Sequence, residues 1–378
     1  MKILFLTPWF PTSPKDSRSV FILDSIQAQK ALGIAAEIAL TIPWKPRKGD
    51  TILKNKGIQT YRYLSIPRHY GRFISNWSYI LKLRQVISKL IKQHNIQLIH
   101  AHTELSGMLA VHVAKKMNIP VVVTLHGIET CPRVWSGFSG KMIDSMLKRA
   151  DRVIAVGAPL LDYFKPRLLS IDHFRVVSNG FQIASDMQDF YKKPWSKTIK
   201  IISVSNLHEG KGIDITLQAL ANLNLSQLSN WHYTIVGDGL EQKNLEKLVV
   251  KLGLGNQVSF VGLCTHDKVY EYLRDADVFC LPSYREAFGI AYLEAMAYGL
   301  LAIGVQGEGP EAFIEHKKTG LLVKPRDVQT LTEALKLVFE QEEFMQKIAE
   351  QGRLHVLKAF TWDKHAEHLI EVYKELVG

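Results

Sequence analysis

Short runs of β-branched and other apolar residues recur along the chain. Between them lie longer stretches whose apolar positions repeat at helical spacing. Such runs fit strands buried on both faces, and their alternation with amphipathic helices is the pattern of parallel α/β units. In the first half the runs predict strands at Ile3–Thr7, Ala36–Thr41, Gln97–Ala101, Val121–Leu125, Arg152–Val156 and Phe174–Val177. From Phe73 to His94, the positions Phe73, Trp77, Ile80, Leu81, Ile87, Leu90 and Ile91 mark one helical face, with Lys82, Arg84, Lys89 and Lys92 elsewhere on the surface. A second series predicts strands at Ile199–Val204, Tyr233–Val236, Val258–Val261, Val278–Leu281, Leu301–Val305 and Leu321–Val323, and one long helix from Trp362 to Val377 closes the chain. The turn Ser178-Asn179-Gly180 and the polar stretch after it divide the two series. The expected organisation is one Rossmann-like domain over 1–180, a second over 181–361, and a terminal helix over 362–378 packing back on the first domain. Doubly wound units of this kind take ligands at the carboxyl ends of their strands.

Composition narrows the class. The chain has 378 residues, 47% of them hydrophobic and 22% charged, which is globular and long enough for two cores. Its three cysteines, Cys131, Cys264 and Cys280, are odd in number and far apart, so neither a disulfide framework nor a zinc site is expected, and reduced cytoplasmic thiols fit. Pro8 and Pro11 interrupt the apolar start of the chain, and no small-residue cleavage site follows, so the expectation is a strand rather than a signal peptide. No run approaches the roughly 18 apolar residues of a membrane span, which predicts a soluble or peripheral protein. The net charge of +11 is uneven: residues 1–175 carry 26 Lys+Arg against 10 Asp+Glu, and the remainder 21 against 26. A basic half suits an anionic membrane surface, a polyanionic acceptor or nucleic acid.

The densest chemical signal is SYREAFGIAYLEAMAYG, Ser283 to Gly299. A buried strand ends just before it, a tight loop opens at Gly289, and a helix starts at about Ile290. That helix start presents N–H groups and a positive dipole end to an anion such as a diphosphate. Glu286 in the loop can accept hydrogen bonds from sugar hydroxyls, and Glu294 in the helix can take a pair of ribose hydroxyls. Two glutamates eight positions apart often just mark a solvated helix face. Here Glu294 lies in an Ala/Leu/Met-rich helix, where an unpaired carboxylate is costly to bury, which favours function. In SVSNLHEGKGID, Lys211 and Gly212 fall in the loop after the first strand of the second series, where a flexible ammonium can reach both phosphates. Asp275-Ala276-Asp277 mimics a metal-binding D-x-D, but it closes a helix ahead of a buried strand, so turn and capping roles explain it. With no other cluster at ligand spacing, no metal and no cofactor are expected.

Over nearly its whole length the sequence resembles glycosyltransferase family 4, a family with the GT-B fold of two facing Rossmann-like domains. The residues that carry the resemblance are Glu286 and Glu294 with LEAMAYGLLAIG, then KKTGLLVKPRD, VGDGLEQKNLE and FTWDKHAEHLIEVY. The resemblance implies a retaining, metal-independent transfer of a hexosyl-type sugar from a nucleoside-diphosphate sugar to a glycan or lipid-linked acceptor, with cell-surface polysaccharide assembly as the commonest setting. It implies donor contacts from Asn206, Lys211, Gly212, Gly237, Phe288, Gly289, Ile290 and Glu294. It also places Glu286, His126 and Lys211 at the reacting sugar, and Arg18, Ser19 and His102 in loops bordering the site. Two positions depart from the family: Asn206 stands where an arginine usually pairs with the lysine, and Ser17-Arg18-Ser19 stand where glycine is usual. Alternatives are a nucleotide-sugar epimerase or a glycosyl phosphorylase on the same fold. A nucleic-acid-binding protein is prompted by charge alone and lacks aromatic–basic reader motifs.

Overall fold

In the computed structural model the described residues are 1–11, 20–43, 58–63, 72–127, 137–168, 170–187, 190, 194–195 and 197–378. They form two compact units, Met1–Gly180 with Trp362–Gly378, and Phe181–Thr361.

The first unit is built on a parallel seven-stranded sheet: β1 (Lys2–Thr7), β2 (Ala35–Pro43), β3 (Gln59–Tyr63), β4 (Leu98–His102), β5 (Val121–Leu125), β6 (Arg152–Ala155) and β7 (Phe174–Val176), in the order β3-β2-β1-β4-β5-β6-β7. Its helices are α1 (Val20–Ala31), α2 (Arg72–His94), α3 (Glu104–Met117), α4 (Gly137–Arg149) and α5 (Ala158–Phe164), joined by the C-terminal α12 (Trp362–Val377). β1, β4 and β5 are buried almost throughout, as continuous apolar runs in a two-sided parallel sheet require. Strand β3 was not expected, because QTYRY alternates polar and aromatic residues. It lies at the sheet edge, where burial no longer demands an apolar run. Helix α12 buries Leu369, Val372 and Tyr373 in one cluster with Ile3 and Phe5 of β1 and with Ile22 and Ile26 of α1.

The second unit repeats the plan with six parallel strands: β8 (Ile199–Val204), β9 (Trp231–Val236), β10 (Val258–Gly262), β11 (Val278–Cys280), β12 (Leu301–Val305) and β13 (Leu321–Val323), in the order β10-β9-β8-β11-β12-β13. Its helices are α6 (Ile213–Leu225), α7 (Gln242–Lys251), α8 (His266–Asp275), α9 (Ile290–Ala297), α10 (Val328–Glu340) and α11 (Glu342–Ala359). The short α9 is buried from Tyr292 to Ala297, which explains its Ala/Leu/Met composition. Asp275 and Asp277 are structural: Asp275 Oδ1 accepts from Lys200 Nζ at 2.7 Å, and Asp277 Oδ2 accepts from the Lys200 N–H at 2.9 Å. Among the described residues no group of three or more metal-ligating side chains occurs, and no helix is long and apolar enough to cross a membrane.

Candidate active site

Strand order reverses between β8 and β11 in the second sheet. At such a switch point the connections leave to opposite faces of the sheet, and the space beyond the two carboxyl ends takes a ligand. The loop after β8 runs through Asn206, Lys211 and Gly212, and the loop after β11 through Glu286, Phe288 and Gly289. The two loops are laced together. The Tyr284 N–H donates to the Gly210 carbonyl at 2.9 Å, and the Ser283 hydroxyl donates to the same carbonyl at 3.1 Å. Gly212 has φ 71°, and a Cβ there would lie 2.2 Å from the Pro282 carbonyl oxygen, so only glycine lets the loops close on each other.

That closure brings Lys211 to Glu286, with Nζ donating to Oε2 at 2.8 Å and side chains 24% and 15% exposed. Glu286 is held from a third segment as well. Its N–H donates to Glu308 Oε2 at 2.7 Å, and its carbonyl accepts from the Gly309 N–H at 2.7 Å. Burial raises the Glu308 carboxyl above the usual range, the hydrogen bond from the Glu286 N–H opposes this, and the Glu286 charge adds to it. Lys211 and Arg285 pull it back down, and the Arg285 side chain runs beside Gly210, so a second cation borders the loop junction where Asn206 supplies none. Asn206 itself is exposed, with its carbonyl accepting from the His208 N–H at 2.9 Å.

Gly289 caps α9 in the left-handed region at φ 96°, and a Cβ there would press to 2.7 Å from Tyr292 Cδ2. The helix therefore starts abruptly at Ile290 beside the Lys211–Glu286 pair, with its first N–H groups and its positive dipole end turned to the loop. The Phe288 ring is buried against Phe313 and Phe360, so the donor contact expected of it falls to its backbone. Gly237 follows β9, and its N–H donates to the Gly262 carbonyl at 2.9 Å. One turn into α9, Glu294 is buried, and its Oε1 accepts from His266 Nε2 at 2.7 Å and from the Tyr270 hydroxyl at 3.5 Å. The sequence reading missed His266, Tyr270 and Glu308. Nothing local marks them, because the partners of Glu294 come from a different helix, 24 and 28 positions away.

In the first sheet the order reverses between β1 and β4, and His102 ends β4 while His126 follows β5. Their rings stack at 5.3 Å, with His102 Nδ1 3.0 Å from His126 Nε2. His100 stacks on His102 at 4.5 Å. Burial pushes His100 and His126 down to about 3, and His102 falls well below its ordinary value for the same reason, helped by its two histidine neighbours. All three imidazoles are neutral near pH 7, so they can share hydroxyl hydrogens but supply no charge.

Behind them runs a chain of buried bonds whose direction can be worked out from its end. His365 Nδ1 lies 2.7 Å from the Ser178 carbonyl and must donate to it, so His365 Nε2 accepts from Ser25 at 2.7 Å. Ser25 in turn accepts from Gln29 Nε2 at 3.1 Å, and Gln29 Oε1 accepts from Tyr373 at 2.8 Å. The Tyr373 oxygen then accepts from His100 Nδ1 at 2.5 Å, which leaves His100 Nε2 to accept from Thr124 at 2.6 Å. Arg18 and Ser19 lie outside the described residues.

Two family models together match most of the chain. "Glycosyltransferase Family 4" matches residues 19–184, and "Glycosyl transferases group 1" matches residues 187–355. Among curated relatives, the N-acetyl-alpha-D-glucosaminyl L-malate synthase of Bacillus anthracis is 26% identical over 308 residues, covering 79% of this chain and 80% of that protein. The glycogen synthase of Mycobacterium tuberculosis is 29% identical over 287 residues, 73% of this chain and 68% of that one. Among solved structures, Anabaena HepE in complex with UDP superposes with a TM-score of 0.77 at 21% identity, covering 100% of both chains. The sucrose-phosphate synthase of Thermosynechococcus elongatus gives 0.77 at 21%, over 100% of this chain and 99% of that one.

Proposed function

The chain belongs to glycosyltransferase family 4, with the GT-B fold, and we propose that it moves a hexosyl-type sugar from a nucleoside-diphosphate sugar to a glycan or lipid-linked acceptor, with retention and without a metal ion. The observation that carries this reading is the Lys211–Glu286 pair across the switch point, beside the start of α9, with Glu294 one turn further along the same helix. An ammonium and a helix start suit a pyrophosphate, and two carboxylates on either side of it suit the hydroxyls of sugar and ribose. HepE, similar in fold, has been solved with UDP-glucose, which supports a donor of this class.

In this reading Lys211 leaves Glu286 for the diphosphate as the donor enters, and Glu286 turns its freed oxygen to the sugar. Glu286 is anchored through its backbone to Glu308 and Gly309, so it is better suited to orient a hydroxyl than to attack a carbon. Retention then follows from front-face attack assisted by the departing phosphate, with catalysis resting on charge stabilisation and positioning. The neutral His126 can share hydrogens with hydroxyls of the transferred sugar, the place the resemblance gives it, and His102 stacks on it at the same end of the first sheet. Screening nucleoside-diphosphate sugars by thermal shift tests the donor class, since a ligand of the folded state raises the melting temperature. NMR of the product anomer tests retention, and turnover in excess EDTA equal to that in buffer tests metal independence. An inverted product or loss of activity in chelator would overturn the corresponding part.

A place at a membrane surface, in cell-surface polysaccharide assembly, is favoured by the outer face of α2. Trp77 and Leu81, one turn apart, are 40% and 48% exposed there, followed by exposed Lys82, Lys89 and Lys92. Aromatic and basic side chains on one helix match an anionic interface. Sedimentation with vesicles containing phosphatidylglycerol should show salt-sensitive binding that Trp77→Glu abolishes. Binding unaffected by that change would refute the assignment.

A further inference from the structure

Glu294 is placed to bind a ribose diol, but a glutamate side chain has three rotatable torsions and nothing in its own helix fixes its carboxylate. The fixing comes from α8. His266 and Tyr270, four residues apart on one face of that helix with ring centroids 4.5 Å apart, both direct a donor at Glu294 Oε1. The two contacts are unequal. His266 Nε2 is at 2.7 Å, while the Tyr270 hydroxyl stands 3.5 Å from Oε1 and 3.4 Å from the Gln182 carbonyl. One hydroxyl hydrogen serves one of those acceptors at a time, so the short His266 bond is the constant restraint. A carboxylate offers about four lone-pair directions, two on each oxygen. His266 and Tyr270 occupy Oε1, and Oε2 keeps its pair for two vicinal hydroxyls. The side chains are asymmetric in exposure as well: Glu294 is 8% exposed and His266 54%, so the imidazole stands at the solvent side of the carboxylate.

We infer that His266 is a positioning residue for donor binding: it holds the Glu294 carboxylate with Oε2 presented to the ribose hydroxyls of a nucleoside diphosphate. This rests on the ribose role given to Glu294 above. The role acts through Glu294, so removing the diol should erase it.

The test uses the full-length protein and whichever of UDP, GDP and ADP raises its melting temperature most, together with the 2′,3′-dideoxy form of that nucleotide. By titration calorimetry, His266→Ala should bind the ribonucleotide about three- to tenfold more weakly, because the carboxylate that takes the diol loses its restraint while the diol keeps its acceptor. His266→Gln, whose amide can donate in its place, should recover most of that affinity. Neither variant should change affinity for the dideoxy form. In turnover the loss should sit in the donor KM, with kcat within about twofold of wild type. Glu294→Ala, run in parallel, reads the underlying assignment. If it binds the ribonucleotide like wild type, if wild type holds the dideoxy form equally well, or if no nucleotide raises the melting temperature, the ribose role fails and the inference with it. If Glu294→Ala weakens binding while His266→Ala does not, or if His266→Ala weakens both nucleotides alike or lowers the ligand-free melting temperature to the same extent as binding, the positioning role alone is overturned.

Discussion

Acidification should destabilise the first unit well before its carboxylates titrate, and the size of the effect follows from two imidazoles. Burial pushes His100 down to about 3 and His365 down to about 4, whereas an unfolded histidine takes its proton near 6.5. Between those values the unfolded chain binds more protons than the folded one. The contribution is therefore complete above pH 6.5 and is lost as pH falls towards the folded values. Each imidazole loses about 1.4 kcal/mol per pH unit, so the step from 6.5 to 5 removes about 2 kcal/mol for each and about 4 kcal/mol for these two, with the buried His102 and His126 adding in the same direction. Against a typical domain stability of about 5–15 kcal/mol that is a large share. Burial is the main reason that neither group charges in place, and for His100 the neighbouring His365 and His126 add to it. Urea unfolding at half-unit steps from pH 7 to 5 measures the slope directly. His365→Gln, which cannot titrate, should unfold with a slope shallower by about one proton, or about 1.4 kcal/mol per pH unit. A wild-type stability that stays flat from 6.5 to 5, or a variant as steep as wild type, would refute the buried neutral chain.

Lys211→Ala removes one charge-assisted contact to the diphosphate, about 1.5–3 kcal/mol, and should lower turnover about ten- to hundredfold in a steady-state assay. Unchanged turnover would remove Lys211 from the site. Gly289→Ala puts a side chain at φ 96° and 2.7 Å from the Tyr292 ring, and should cost about 1–3 kcal/mol in urea unfolding along with weaker nucleotide binding. Asp277→Ala strips a buried acceptor from the Lys200 N–H, held at 2.9 Å, and should cost about 1–3 kcal/mol with kcat intact, since the residue is structural.

Much of the fold was legible because a strand buried on both faces must read as an apolar run. The stretches at Ile3, Val121, Ile199 and Leu301 each became a central parallel strand within a residue of the expected bounds. Legibility fell away at β3, a partly buried edge strand that alternates tyrosine with polar residues, whereas the apolar edge strands β7, β10 and β13 were read. In the candidate site, the loop residues Lys211, Gly212, Glu286 and Gly289 could be read because each lies where a strand meets a helix and local chemistry constrains it. The residues that hold them could not. Glu308 reaches Glu286 from 22 positions away, and His266 reaches Glu294 from 28, so only the sheet order brings these pairs together. Phe288 shows what a position beside a loop glycine leaves open: its ring turns inward to the aromatic core against Phe313, which leaves its backbone for a ligand contact.

The two sheets carry different electrostatics at their carboxyl ends, and the difference has a structural source. In the second unit the switch-point loops are partly exposed and glycine-hinged, and Lys211 and Glu286 pair across them at 2.8 Å with both side chains still in reach of water. In the reading proposed above, exchanging Glu286 for a diphosphate leaves the Lys211 ammonium paired with an anion before and after, so its loss of water is compensated in both states. In the first unit His102 lies stacked between His126 and His100, which meets Tyr373 of α12 edge-on, and burial there disfavours the charged imidazole. A neutral, pre-stacked imidazole pair offers directed hydrogen bonds without attracting charge. The C-terminal helix thereby does more than close the apolar core: Tyr373 fixes the tautomer of His100, the ring on which His102 lies.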